Sequence, residues 1–174
     1  VRDCMNILLV CTGNTCRSSM AEGIFKYMLK DARNMRISSA GISAFEGDKA
    51  NEKSINVLKK KGIDISNHRA RQLTIHMIQD ADLILTMTYS HKKLIKDYIL
   101  KNLGDASLGN KVFTLKEYAY LIDDEIISEN CNLDIADPFG MDYSVYEQTM
   151  IEIEKEIQKI INNMNDRGAI GSDR

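Results

Sequence analysis

The run Met5-Asn6-Ile7-Leu8-Leu9-Val10 is almost entirely apolar and stops at Cys11. A short continuous apolar run reads as a strand buried on both faces, the kind found in parallel sheets covered by helices. A turn and a helix start follow at once. Gly13 and Asn14 tolerate left-handed backbone angles, and Ser18 and Ser19 are N-cap candidates, with Glu22 completing a capping box from Ser19. The pattern predicts a helix from about residue 20 to 31, with Ile24, Phe25 and Met28 on one face.

The same alternation runs down the chain. Strands are predicted at 35–39, 81–87 and 111–115, and helices at 53–61, 90–100 and 143–164. The last helix is the longest. Its Tyr146, Met150, Ile153, Ile157, Ile160, Ile161 and Met164 form one apolar face, which reads as core-facing. Strands alternating with helices imply a parallel sheet with right-handed crossovers. The expected fold is α/β, a three-layer α/β/α arrangement around a four-stranded parallel sheet. With 174 residues and neither repeat nor linker, the chain is expected to form one domain over 1–174, frayed from about residue 165.

Composition excludes several classes. A net charge of −2 leaves no basic field for nucleic acid or an anionic membrane, and no apolar run reaches the ~20 residues of a membrane span. The N-terminal residues are too few and too polar before the first apolar run for a secretory signal. The four cysteines, at 4, 11, 16 and 131, do not space as a disulfide framework, and a lone C-x4-C is no zinc site. A reducing, cytoplasmic setting is expected.

In doubly wound sheets, ligands bind beyond the carboxyl ends of strands. The strongest signal lies there, in Cys11-Thr12-Gly13-Asn14-Thr15-Cys16-Arg17-Ser18. Backbone N–H groups of such a loop, at a helix N-terminus, make an anion-binding nest. Arg17 adds a planar fork suited to two phosphoryl oxygens. Cys11 at the base of that positive cradle is a nucleophile aimed at phosphorus. Alone, a cysteine at a strand end is packing and C-x5-R is chance; the strand before it and the capped helix after it favour chemistry. The loop lacks the G-K-[ST] ending of a nucleotide-binding P-loop.

V-C-T-G-N-T-C-R-S-x-M-A-E, followed by S-A-G at 39–41 and D-P-F at 137–139, resembles the low-molecular-weight protein tyrosine phosphatases, from Asn6 to about Met164. Within that family the loop is most similar to bacterial protein-arginine phosphatases. Ser19 stands where most members have proline; both residues start helices well. The resemblance implies phosphocysteine catalysis without metal or cofactor, by a monomer that acts on phosphorylated proteins and releases phosphate. It makes Cys11 the nucleophile, Arg17 the phosphate clamp, and Asp137 the acid and then the base. Read alone, Asp137-Pro138 is a plain turn. Thr12, Gly13, Asn14, Thr15, Cys16 and Ser18 form the phosphate loop, with Ser18 also able to donate to the sulfur. Ser39 and His68 brace it, although a lone histidine is more often structural. Phe139 becomes a pocket wall. Cys11 and Cys16 are candidates for a reversible disulfide.

Thr15 bears on the substrate. Tyrosine-specific members usually carry a branched aliphatic residue at this position, and arginine phosphatases a threonine. A rim hydroxyl can meet a guanidinium N–H, which isoleucine cannot do. The expected activity is therefore phosphoarginine hydrolysis, with phosphotyrosine hydrolysis the near alternative. Arsenate reduction needs relay cysteines, and none lies between Cys16 and Cys131. A non-catalytic phosphate-binding module would need neither nucleophile nor acid. His76, His91, residues 105–110 and the acidic stretch 123–132 receive no role.

Overall fold

The computed structural model describes residues 4–120 and 132–170. Four parallel strands, β1 (Met5–Cys11), β2 (Met35–Gly41), β3 (Leu83–Thr86) and β4 (Val112–Thr114), lie in the order β2-β1-β3-β4. The helices are α1 (Arg17–Met28), α2 (Glu52–Lys59), α3 (Ile75–Asp80), α4 (Tyr89–Leu103), α5 (Leu115–Tyr120) and α6 (Tyr143–Asp166), with a 3-10 turn at Ala106–Lys111.

The strand period of two divides β1 between two cores. Ile7, Leu9 and Cys11 pack with α1 and α6, through Met20, Ile24, Phe25, Tyr146, Ile153 and Ile157. Leu8 and Val10 pack on the other face, with Ile78 of α3 and Ile95 and Ile99 of α4. The result is three layers, as the strand–helix alternation predicts. α6 presents the predicted apolar stripe to the first core, with Ile153, Ile157 and Ile160 fully buried.

Chain direction fixes the site. From β1 the chain crosses to β2 on one side, then to β3 on the other, so the topology switches at the carboxyl end of β1. There the two crossovers part and leave a crevice. The loop after Cys11 occupies it. Gly41, paired with Cys11 at the end of β2, lets the loop pass close by. A Cβ there would collide with the Thr12 carbonyl oxygen and press on the Asn14 nitrogen.

Several details depart from the pattern-based reading. α1 starts at Arg17, and its N-cap, Cys16, makes no side-chain cap; Ser19 instead donates to the Cys16 carbonyl at 2.8 Å. Glu22 is therefore free of capping and turns to His68 and Lys26. The real capping box belongs to α5. The Glu117 amide donates to Thr114 Oγ1 at 3.0 Å, and the Thr114 amide donates to Glu117 Oε2 at 3.1 Å. The last helix runs to Asp166, and beyond it Asn34 Nδ2 donates to the Ala169 carbonyl while Ile170 packs on the core. Cys131 and most of the acidic stretch lie outside the described residues.

Candidate active site

The loop from Cys11 to Arg17 is pinned mainly through Asn14. Asn14 is fully buried and, among the described residues, the one non-glycine with positive φ, at 58°. At that left-handed step Asn14 N donates to Cys11 Sγ at 3.3 Å. Its side-chain nitrogen donates to Ser18 Oγ and to Ser39 Oγ, each at 2.8 Å. Its side-chain oxygen accepts from the Arg71 amide at 3.0 Å.

Ser18 Oγ lies 2.9 Å from Cys11 Sγ. Because this oxygen already accepts from Asn14, its proton is available to the sulfur. Cys11 is buried, with 3% exposure. Two donors, a backbone amide and a hydroxyl, therefore converge on its sulfur inside the protein, where hydrogen bonds to charge are strongest.

His68 backs the loop from the other side. Its Nε2 donates to the Asn14 carbonyl at 2.7 Å, since a carbonyl can only accept, and its Nδ1 lies 3.7 Å from Glu22 Oε2. Burial alone would raise the Glu22 pKa; hydrogen bonds from His68 and Ser39 and the charge of Lys26 outweigh it and hold the carboxyl below its ordinary range. A cavity of about 490 Å³ opens beside these braces, lined in part by Glu22, Ser39, His68, Arg69 and Arg71. It contains neither Cys11 nor Asp137.

Arg17 is 5% exposed in the first turn of α1. Its Nη1 donates to the Ile135 carbonyl at 3.0 Å, and its Nη2 lies 3.4 Å from Asp137 Oδ2. Asp137 accepts from the Phe139 amide at 3.1 Å, which shapes the Asp-Pro-Phe turn, and its side chain is half exposed. Phe139 is 70% exposed. Thr15 is half-buried; its carbonyl accepts from the Asn51 amide, and its hydroxyl meets the Cys16 sulfur at 3.8 Å. Cys16 also lies 3.4 Å from the buried Tyr146 hydroxyl. Burial pushes the Cys16 thiol up, against the hydrogen bonds from Tyr146 and Thr15.

The structure thus gathers Cys11, Thr12, Gly13, Asn14, Thr15, Cys16, Arg17, Ser18, Ser39, His68 and Asp137 around one strand end. Sequence reasoning passed over four neighbours. Arg71 and Glu22 support the braces, Tyr146 holds Cys16, and His91 Nε2 lies 2.9 Å from Thr12 Oγ1. For His91 a signal existed, because it lies just past the carboxyl end of β3, where ligands to such sheets bind. Among the described residues no three His, Cys, Asp or Glu side chains gather as a metal-ligand set, and no helix is long and apolar enough to cross a membrane.

Residues 6–169 match the family described as low molecular weight phosphotyrosine protein phosphatase. The chain is 35% identical to a protein-arginine-phosphatase of Bacillus subtilis, over 92% of this chain and 97% of the relative. It is 38% identical to the low molecular weight protein-tyrosine-phosphatase PtpB of Staphylococcus epidermidis, over 90% of this chain and 96% of that one. A solved YwlE arginine phosphatase mutant with a phosphorylated active-site serine superposes with a TM-score of 0.77 at 34% identity, covering 92% of this chain and 96% of that one.

Proposed function

The chain belongs to the low molecular weight phosphotyrosine protein phosphatase family, and from that premise we propose that it is a cysteine-dependent phosphatase that removes the phosphoryl group from phosphoarginine in proteins. The observation that carries the chemistry is the convergence of Asn14 N and Ser18 Oγ on the Cys11 sulfur, with Arg17 facing Asp137 beside it.

Catalysis runs in two steps. The Cys11 thiolate attacks phosphorus in line with the leaving nitrogen. Loop amides and the Arg17 fork hold the equatorial oxygens, whose charge grows in the transition state. As the P–N bond breaks, the Asp137 carboxyl gives its proton to the departing guanidine nitrogen. Asp137, now a carboxylate, takes a proton from a water whose oxygen attacks the phosphocysteine. The P–S bond breaks, inorganic phosphate forms, and Ser18 stabilises the returning thiolate. The phosphorylated active-site serine of the solved relative supports a covalent phosphoenzyme.

Thr15 supports the substrate choice. Its half-buried hydroxyl has only the weak sulfur contact among the described residues, leaving it able to meet a guanidinium N–H. Arginine phosphatases among the relatives support the same choice. Phosphotyrosine is the second reading, favoured by the tyrosine phosphatases at similar identity and by the exposed Phe139 ring, a natural wall for a planar group. Ser39 and His68 act as braces. Cys16, five residues on in the same loop, is the thiol we assign to trap oxidised Cys11 as a disulfide. We take 1–174 as one phosphatase domain. We take the protein as a monomer, and the free Cys11 thiol the reaction needs supports a reducing, cytoplasmic setting. Release of phosphate from a phosphoarginine protein, abolished in Cys11→Ser, tests the reading.

A further inference from the structure

Thr12 and His91 meet beside the nucleophile from distant parts of the chain. Thr12 follows Cys11 directly, its side chain is exposed, and its carbonyl is fixed by the Ser43 amide at 2.9 Å. His91 lies in the first turn of α4. That helix is capped by Thr88, whose Oγ1 accepts from the His91 amide at 3.1 Å. The imidazole is thereby aimed from a rigid root, and the residue is only 6% exposed.

The proton on that ring can be placed. Burial and the charge of Arg17 hold His91 down to about 4, against the opposing pull of Asp134 and Asp137. The ring is neutral near pH 7 and carries one N–H. Nδ1 is buried and meets no partner among the described residues, whereas Nε2 lies 2.9 Å from Thr12 Oγ1. A buried N–H without an acceptor is costlier than a bare ring lone pair. The proton therefore sits on Nε2 and is donated to Thr12. The Thr12 hydroxyl accepts on that side, which leaves its own proton free for another acceptor. The ligand expected there is a phosphoryl group, whose oxygens only accept.

We propose that His91 is a positioning residue that commits the Thr12 hydroxyl to donate a hydrogen bond to a phosphoryl oxygen held in the Cys11 loop. This rests on the phosphatase reading above. It adds one side-chain donor to the backbone donors of the nest and makes the start of α4 part of the site.

Inorganic phosphate titrated calorimetrically into the full chain at pH 7 tests the pair without turnover. Thr12→Val, an exposed substitution, should weaken binding about 10- to 100-fold, the range for one lost hydrogen bond to a charged group, and Thr12→Ser should not. His91→Leu should weaken it to the same extent. His91→Gln, whose amide can donate from near the Nε2 position, should restore it. In the double variant Thr12→Val with His91→Leu, binding should be no weaker than in Thr12→Val alone. Wild-type affinity in Thr12→Val overturns the proposal. So does an equal His91→Leu loss with or without the Thr12 hydroxyl, because that marks a purely structural role. If His91→Leu does not fold, Thr12→Val and His91→Gln decide. A wild-type chain that binds no phosphate overturns both this proposal and the phosphatase reading; normal wild-type binding with no Thr12 effect overturns this one alone.

Discussion

The Ser18 hydroxyl lies 2.9 Å from the Cys11 sulfur, and Asn14 Nδ2 donates to the same oxygen at 2.8 Å, which leaves the serine proton available to the sulfur. In the proposed reaction this contact meets the sulfur both as it attacks and as it leaves phosphorus. Ser18→Ala should lower kcat about 10- to 100-fold, the range for one hydrogen bond to a charged group. If thiolate departure suffers most, phosphoenzyme accumulates and acid quenching traps it. A variant as fast as wild type would remove Ser18 from the mechanism.

Asp137 is half exposed and 3.4 Å from Arg17, within reach of a leaving group at the mouth of the loop. Asp137→Asn keeps the shape but loses the transferable proton. Turnover of a phosphoarginine peptide should fall by about 10²- to 10⁴-fold, the usual contribution of general acid–base catalysis. The first step with p-nitrophenyl phosphate, whose leaving group needs little protonation, should fall far less. Equal losses of the phosphoenzyme-forming rate on both substrates would speak against proton donation.

Much of this was legible in the sequence because it depends on local pattern. The apolar run of β1 and the alternation after it dictate a parallel sheet, and the spacing from Cys11 to Arg17 places both at one strand end. The misplaced cap at Ser19 shows the limit. Ser-x-x-Glu there met the capping pattern, yet the loop's own geometry begins the helix at Arg17. The same pattern at Thr114-Leu115-Lys116-Glu117 was a true signal for α5. His91 was hidden for another reason. Its neighbour Thr12 is 79 residues away, and the two meet only because β3 lies beside β1 in the sheet.

Cys16 is a poor nucleophile at neutral pH, because burial raises its thiol pKa. After peroxide converts Cys11 to the sulfenic acid, attack by the Cys16 thiolate would form the disulfide and release hydroxide. The rate of disulfide formation should rise with pH across the thiol range, when monitored by mass spectrometry of alkylated protein. Thiol reductant should restore activity to the wild type and much less to Cys16→Ser. Equal recovery in both would exclude Cys16 as the protecting thiol.

His91 also gives stability a pH signature. Its pKa is near 6.5 in the unfolded chain and about 4 in the native one, with Arg17, Asp134 and Asp137 facing it. Between those values the unfolded chain binds more protons, so native stability falls as pH drops through that window. His91→Gln lacks this titration. Its Tm should fall less than that of wild type between pH 7 and pH 4.5. Parallel declines would contradict a neutral buried imidazole.

The central claim is tested most directly by kcat/KM on matched phosphoarginine and phosphotyrosine peptides, for wild type and Thr15→Ile, with Cys11→Ser as the blank. Wild type should prefer phosphoarginine by about tenfold or more, the value of one well-placed hydrogen bond. Thr15→Ile should shrink or reverse that preference, and Cys11→Ser should release nothing from either peptide. A wild-type preference for phosphotyrosine would contradict the assignment of phosphoarginine while leaving the phosphocysteine chemistry in place.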